Sequence, residues 1–212
     1  MNLPNALTIA RIVVTPAIAI LPFSSSSGLR LTAFVLFVLA AITDYVDGYL
    51  ARSRKEETDF GRLLDPFADK ALLVGTLVAM YMLAPRFPFV TPLGPIGLPL
   101  WVVLVVLGRE VFMTVFRQAA ARRGVVIAAI GPAKWKTGLQ LIWQGSAYCW
   151  FWIATVAAEQ RWENYSAWRG FALFNGTVGT LMMIGAVFLT IYSLIVYMRS
   201  FGSVFGAGAG QG

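Results

Sequence analysis

Long apolar stretches dominate the chain, and short polar or glycine- and proline-rich connections separate them. A helix that crosses a bilayer needs roughly 20 mostly apolar residues. The pattern predicts six helices, at residues 7–22, 29–52, 62–84, 99–122, 134–158 and 171–199. We therefore expect an all-α integral membrane protein with six transmembrane helices and a short N-terminal interfacial segment.

The connections between these stretches predict turns and one longer non-helical segment. The serine run at residues 24–28 is typical of a turn, whereas residues 85–99 are rich in proline and glycine and should not be helical. Residues 1–200 are predicted to form one membrane domain. We expect the glycine-rich residues 201–212 to be a disordered tail.

Composition agrees with a membrane environment and narrows the available chemistry. Hydrophobic residues make up 58% of the chain and charged residues 13%, whereas soluble domains carry about 25% charged residues. The sequence contains no histidine and a single cysteine, Cys149. Acid–base or hard-metal chemistry must therefore fall on carboxylates, lysine or tyrosine.

The distribution of lysine and arginine predicts an orientation for this chain, whose net charge is +7. The connections at residues 52–62 and 122–136 are richer in these cations than the connections between the other helix ends. The positive-inside rule then places both connections and both termini in the cytoplasm. We expect a multi-pass protein of the cell (inner) membrane with no nucleic-acid partner.

Four aspartates lie at the predicted cytoplasmic ends of helices two and three. Asp44 and Asp47 are three residues apart, and Asp65 and Asp69 are four apart, so each pair shares one helical face. An aspartate inside a membrane helix costs roughly 2.5–3.5 kcal/mol on insertion scales. The cluster is therefore favourable only with water access and a bound cation, and its oxygens suit magnesium, manganese or calcium.

The residues around the aspartates support this interpretation, with one alternative. Gly48 and Ala51 are small enough to admit a ligand, and Arg52 is well placed to contact phosphate. Pro66 is tolerated in the first turn of a helix. If helix three begins near that proline, Asp65 acts partly as a helix N-cap rather than as a ligand.

The motif as a whole resembles the signature of a known enzyme family. DYVDGYLAR, eight residues, and GRLLDPFAD match every fixed position of D-x-x-D-G-x-x-A-R, eight residues, G-x-x-x-D-x-x-x-D. This is the signature of the CDP-alcohol phosphotransferases, and the six predicted helices fit that family. The matching residues are Asp44, Asp47, Gly48, Ala51, Arg52, Gly61, Asp65 and Asp69.

The resemblance implies specific roles for these residues. Asp44, Asp47, Asp65 and Asp69 would bind a divalent metal, Mg²⁺ or Mn²⁺, and Asp69 would also act as the general base on the acceptor hydroxyl. The metal would neutralise the pyrophosphate and stabilise the leaving CMP. The CDP site would comprise Asp44, Asp47, Gly48, Ala51, Arg52, Gly61 and Asp65.

Four further segments resemble the phosphatidylglycerophosphate synthase branch of that family: NLPNALTIARIVVTP, TDFGRLLDPFADK, GREVFMTVFR and KWKTGLQ. Ala133 departs from the glycine that is usual in this branch. The branch implies a dianionic acceptor phosphate, which Arg109, Arg117, Lys134 and Lys136 would bind. Lys136 as a simple cytoplasmic anchor and Arg109 as a structural ion-pair partner remain alternatives.

The resemblance thus implies transfer of a phosphatidyl group from CDP-diacylglycerol to glycerol 3-phosphate, giving phosphatidylglycerol phosphate and CMP. A cardiolipin synthase using phosphatidylglycerol, or an enzyme using inositol phosphate or serine, remains an alternative within the family. A cation or proton transporter is the alternative from another class, since intramembrane carboxylates often mark ion paths. The family commonly forms homodimers, and small residues on helix six could pack between subunits or within one: Ala172, Gly176, Gly179 and Thr180.

Overall fold

The structure is a computed structural model that describes residues 3–54, 59–125, 131–162 and 165–201. Within its helices, some side chains lie outside the described set, namely those of residues 3–4, 45–54, 59–63, 65, 132–134 and 201. The predicted tail from residue 202 onward also lies outside the described residues, so its disorder stays a prediction.

The six predicted helices are all present. They are α1 (Leu3–Ile20), α2 (Ser27–Arg54), α3 (Asp59–Leu83), α4 (Leu100–Arg122), α5 (Gly131–Glu159) and α6 (Ser166–Phe201), with a 3-10 turn at Leu21–Phe23. α1 starts earlier than predicted, so the residues expected to form the N-terminal interfacial segment extend this helix. α6 begins at Ser166 rather than near Phe171.

The early start of α3 decides the alternative proposed for Asp65. Because the helix begins at Asp59, Asp65 and Pro66 lie inside it rather than at its first turn. Asp65 is therefore not an N-cap residue, and that interpretation is wrong. Proline has no backbone N–H, so the helix lacks one hydrogen bond at this point, beside the aspartates.

Among the residues that the structure describes, four segments are long and apolar enough to cross a membrane: Asn5–Phe23, Ser27–Asp44, Pro66–Leu83 and Ser166–Ser200. They belong to α1, α2, α3 and α6. α4 has the length of a span but contains Arg109, Glu110 and Arg117, which lower its hydropathy. The all-α membrane fold is confirmed, while the crossing of α4 and α5 stays a prediction.

The chain forms two compact units, the first comprising residues 1–98 and 143–180. In this first unit α1 packs against both α2 and α3. A side chain at Gly75 of α3 would approach Ala19 of α1 to 3.2 Å, so glycine permits close contact between these helices. The ring of Tyr148 stacks on Phe37 of α2, and its hydroxyl donates to the carbonyl of Ile18 at 3.1 Å.

The segment predicted to be non-helical contains a small β-hairpin in the first unit. Strands β1 (Phe89–Thr91) and β2 (Gly94–Ile96) pair antiparallel. The hairpin packs closely on α6, because a Cβ at Gly176 would lie 2.0 Å from the Val90 carbonyl oxygen, and one at Gly179 would meet the Phe89 ring. These two glycines therefore serve packing within one subunit.

The second unit comprises residues 99–142 and 181–212. Its buried apolar cluster joins α4 to α6 through Met113, Phe116, Ala120 and Tyr197. On α4 the buried positions include Arg109 as well as apolar residues. A buried arginine in an apolar helix needs a counter-charge or hydrogen bonds, which this unit supplies.

Candidate active site

The aspartate motif spans the end of α2 and the start of α3. Asp44 and Asp69 are the two motif aspartates whose side chains the structure describes, and both are partly exposed, at 41% and 55%. The remaining motif residues lie on the same two helices, but their side chains are outside the described set: Asp47, Gly48, Ala51, Arg52, Gly61 and Asp65.

Arg11 of α1 brings these two carboxylates together. Its Nη1 atom lies 2.6 Å from Oδ1 of Asp44 and 3.1 Å from Oδ1 of Asp69. The arginine side chain is only 1% exposed, whereas both carboxylates reach solvent. One buried cation therefore links the first half of the motif to the second, and the predicted proximity of α2 and α3 is confirmed for this pair.

The local structure of α1 holds Arg11 in place. The hydroxyl of Thr15, one turn later, donates to the Arg11 carbonyl at 2.7 Å. The close approach of α1 to Gly75 of α3 fixes the helix on the element that carries Asp69. The guanidinium is thus presented from a tightly packed helix.

The donor set fits a hard divalent cation. Two carboxylate oxygens from different helices already share one positive group, and carboxylate oxygens are preferred ligands of Mg²⁺, Mn²⁺ and Ca²⁺. A set of three potential ligands is not found among the described side chains, which exclude those of Asp47 and Asp65.

A second group of charged residues occupies the second unit. Glu110 accepts hydrogen bonds from Arg109 Nη1 at 2.9 Å and from Lys136 Nζ. Arg109 Nη2 also donates to the buried Ser193 hydroxyl at 3.3 Å. Arg109 and Lys136 are 8% and 4% exposed. Lys136 is therefore a buried ion-pair residue rather than a surface anchor. Arg109 also forms an ion pair, as the structural alternative for this residue expected, and its partner is Glu110.

Arg117 lies on the same helix in a different environment. Its Nη2 donates to the Tyr197 hydroxyl at 3.2 Å, and its guanidinium carbon is 5.7 Å from the centre of the Tyr197 ring. The tyrosine is fully buried, while Arg117 is exposed. Arg117 therefore rests on a hydroxyl group and an aromatic ring, neither of which is a carboxylate. The side chain of Lys134, the fourth predicted cation, is outside the described set.

Comparison with known proteins decides which family these features represent. The family profile of the CDP-alcohol phosphatidyltransferases matches residues 1–192. The chain belongs to this family. The predicted resemblance is therefore confirmed over almost the whole described chain.

Relatives of this CDP-alcohol phosphatidyltransferase carry consistent names. A CDP-diacylglycerol–glycerol-3-phosphate 3-phosphatidyltransferase of Cereibacter sphaeroides is 35% identical over 66% of this chain and 60% of its own length. A probable phosphatidylglycerophosphate synthase of Mycobacterium tuberculosis is 38% identical over 66% of this chain and 63% of its own length. The match thus spans about three fifths of these two relatives. A Rickettsia bellii enzyme with the first name is 32% identical over 94% of each chain.

Sequence reasoning missed Arg11 as a partner of the motif aspartates. The available signal was a lone arginine in the first apolar stretch, because an unpaired cation in a membrane helix is costly and calls for a nearby anion. Tyr197 and Ser193 were also missed. Hydroxyl groups on a long apolar helix give no comparable signal, since they are common and inexpensive there.

Proposed function

We propose that this chain transfers a phosphatidyl group from CDP-diacylglycerol to glycerol 3-phosphate, giving phosphatidylglycerol phosphate and CMP. The observation that carries the proposal is the complete aspartate motif, of which Asp44 and Asp69 share one cation across two helices. The names of the relatives from Cereibacter sphaeroides and Rickettsia bellii describe the same reaction and support the proposal.

The motif residues would bind different parts of the donor substrate. Asp44, Asp47, Asp65 and Asp69 would hold a divalent metal, Mg²⁺ or Mn²⁺, which supplies charge neutralisation of the pyrophosphate when bound. Gly48, Ala51, Arg52 and Gly61 would line the CDP site together with Asp44, Asp47 and Asp65. The small residues leave room for the nucleotide, and the arginine matches phosphate oxygens.

Asp69 would act as the general base. Its carboxylate is the more exposed of the two described aspartates, so an acceptor hydroxyl can reach it. It would remove the proton from the glycerol hydroxyl as that oxygen attacks the phosphorus that bears the diacylglycerol. The bond from this phosphorus to the CMP phosphate oxygen breaks, and CMP leaves.

The cations of the second unit suit the acceptor phosphate. Glu110 offsets one of the two charges on Arg109 and Lys136, while Arg117 rests on neutral Tyr197. This group therefore keeps a positive excess, as a dianionic phosphate requires. Lys134, on the neighbouring helix α5, would supply a further cation for the acceptor phosphate.

The orientation proposed from the sequence agrees with these roles. The connections richest in lysine and arginine adjoin the aspartate helices and join α4 to α5. The positive-inside rule would place them in the cytoplasm of a cell whose inner membrane holds the protein. Water-soluble glycerol 3-phosphate would then reach the site from the cytoplasm. The formation of a homodimer also stays a proposal.

An acceptor screen tests the proposed reaction. The full chain in detergent is supplied with CDP-diacylglycerol, Mg²⁺ or Mn²⁺, and one alcohol at a time: glycerol 3-phosphate, phosphatidylglycerol, inositol phosphate or serine. We expect CMP release with glycerol 3-phosphate and its loss on chelation by EDTA. Release with another alcohol instead would overturn the acceptor assignment. Ion flux in liposomes without CMP release would favour a transporter.

A further inference from the structure

Arg11 occupies an unusual position for a residue outside the aspartate motif. It lies 33 residues before Asp44 and 58 before Asp69 in the chain, yet a single guanidinium nitrogen contacts both carboxylates. Both carboxylates are open to solvent on their other side, whereas the arginine is buried. The arginine thus approaches the motif from the protein interior.

The surroundings of Arg11 resist its movement. Thr15 and Ala19 both lie against Gly75 of α3, and the carbonyl of Ile18 accepts a hydrogen bond from Tyr148 of α5. α1 is therefore held against both α3 and α5 along one side. A group carried by such a helix fixes the position of whatever it binds.

We propose that Arg11 is a positioning residue that holds Asp44 and Asp69 at a fixed separation before metal and CDP-lipid bind. Without this shared cation the two carboxylates repel each other, and the ends of α2 and α3 are free to separate. With it, the two halves of the motif form one site. The inference rests on the proposed role of the aspartates as metal ligands.

The charge-conserving variant Arg11→Lys separates positioning from simple charge compensation. A lysine keeps the positive charge but replaces the rigid planar guanidinium with a mobile ammonium. Losing a residue that orients metal ligands typically costs tenfold to a hundredfold in metal affinity or activity. We expect R11K to weaken Mn²⁺ binding by about tenfold and to lower kcat by about tenfold.

Arg30 offers a matched control, because it is another buried arginine of the first unit. Its side chain contacts the Pro22 carbonyl, the Thr155 hydroxyl and the Phe87 ring, and none of these belongs to the motif. Arg30→Lys should lower the thermal midpoint in detergent while Mn²⁺ affinity and kcat stay within about twofold of wild type. It reports the general effect of losing a buried guanidinium.

The experiment compares wild type, R11K, R30K, Asp44→Asn and Asp69→Asn as full chains in detergent. Electron paramagnetic resonance of free Mn²⁺ gives metal affinity without substrate, and CMP release gives kcat and each KM. The inference is supported if R11K loses Mn²⁺ affinity and kcat while KM for glycerol 3-phosphate stays within about twofold and R30K is unaffected. Unchanged Mn²⁺ affinity and kcat in R11K would overturn it.

Two other results would also overturn the inference. A higher KM for CDP-diacylglycerol with unchanged kcat would make Arg11 a substrate contact, and equal losses in R30K would make the effect one of general stability. Failure of the proposed site itself is distinct. If the aspartates do not bind metal, D44N and D69N bind Mn²⁺ like wild type. If only the role of Arg11 is wrong, D44N and D69N bind Mn²⁺ more weakly than wild type, while R11K binds it normally.

Discussion

Glu110 is the only carboxylate that the described structure places between the buried cations Arg109 and Lys136, so its charge should matter for stability. Both of these cations are buried, whereas the Glu110 side chain is 21% exposed. Removing one member of a buried ion pair typically costs 3–5 kcal/mol, because the remaining charge stays in a poorly solvating environment. Since Glu110 keeps some solvent access, we expect Glu110→Gln to destabilise the protein by about 3 kcal/mol.

Two measurements give this loss of stability: thermal unfolding in detergent, monitored by circular dichroism, and unfolding by titration with SDS. Glu159→Gln is the matched control, since Glu159 is an exposed carboxylate at the end of α5, and its loss should cost less than about 0.5 kcal/mol. The double variant Glu110→Gln/Lys136→Met removes a cation with the carboxylate. It should lose less stability than the two single variants together.

The reasoning is refuted if Glu110→Gln unfolds with wild-type stability, or loses no more than the Glu159 control. Strict additivity in the double variant would also refute it, because residues that do not interact have additive effects. Either result would mean that Arg109 and Lys136 are solvated or paired in another way, and that the positive excess assigned to this group is wrong.

Three further predictions concern catalysis and packing. Asp69→Asn should abolish CMP release, measured with saturating substrates, because the general base is lost. The variant should still bind CDP-diacylglycerol with an affinity within about threefold of wild type, because the other ligands remain. Near-normal turnover would remove Asp69 from the base role. Arg117→Gln should raise the KM for glycerol 3-phosphate about tenfold, as expected for a lost charged contact. Arg122→Gln, at another exposed arginine of α4, should leave this KM unchanged. Equal effects of the two substitutions would contradict a specific role of Arg117 in binding the acceptor. Gly176→Ala should cost about 2–3 kcal/mol in unfolding measurements, because its Cβ would collide with the Val90 backbone. Gly170→Ala, whose Cβ would meet no atom within 4 Å, should be neutral. Equal stability of the two variants would refute the close packing.

The local pattern of the sequence was sufficient for the helices and for the motif, but not for the partners of buried charges. Apolar runs predict helices because each helix satisfies its own backbone in lipid. The hairpin at residues 89–96 was predicted only as non-helical, since its pairing depends on packing against α6. The role of Arg11 could not be predicted for the same reason, because contacts across 33 and 58 residues are set by how α1 packs and not by spacing.

The two charged groups differ in a way that stability alone does not explain. Buried ion pairs are often no more stabilising than apolar residues of similar volume, so their presence is weak evidence for a structural purpose. What distinguishes these groups is their unequal formal charge. Among the described side chains, Arg11 faces two carboxylates, whereas Glu110 faces two cations.

A ligand of opposite charge would be favourable at either group, and most of all beside Arg109 and Lys136, which are buried from water. A divalent cation offsets the first, and a phosphate dianion offsets the second. The metal and the acceptor phosphate of the proposed reaction are ligands of these two kinds. The imbalance therefore predicts that each ligand stabilises the folded chain, and that Mg²⁺ and glycerol 3-phosphate should each raise its thermal midpoint in detergent.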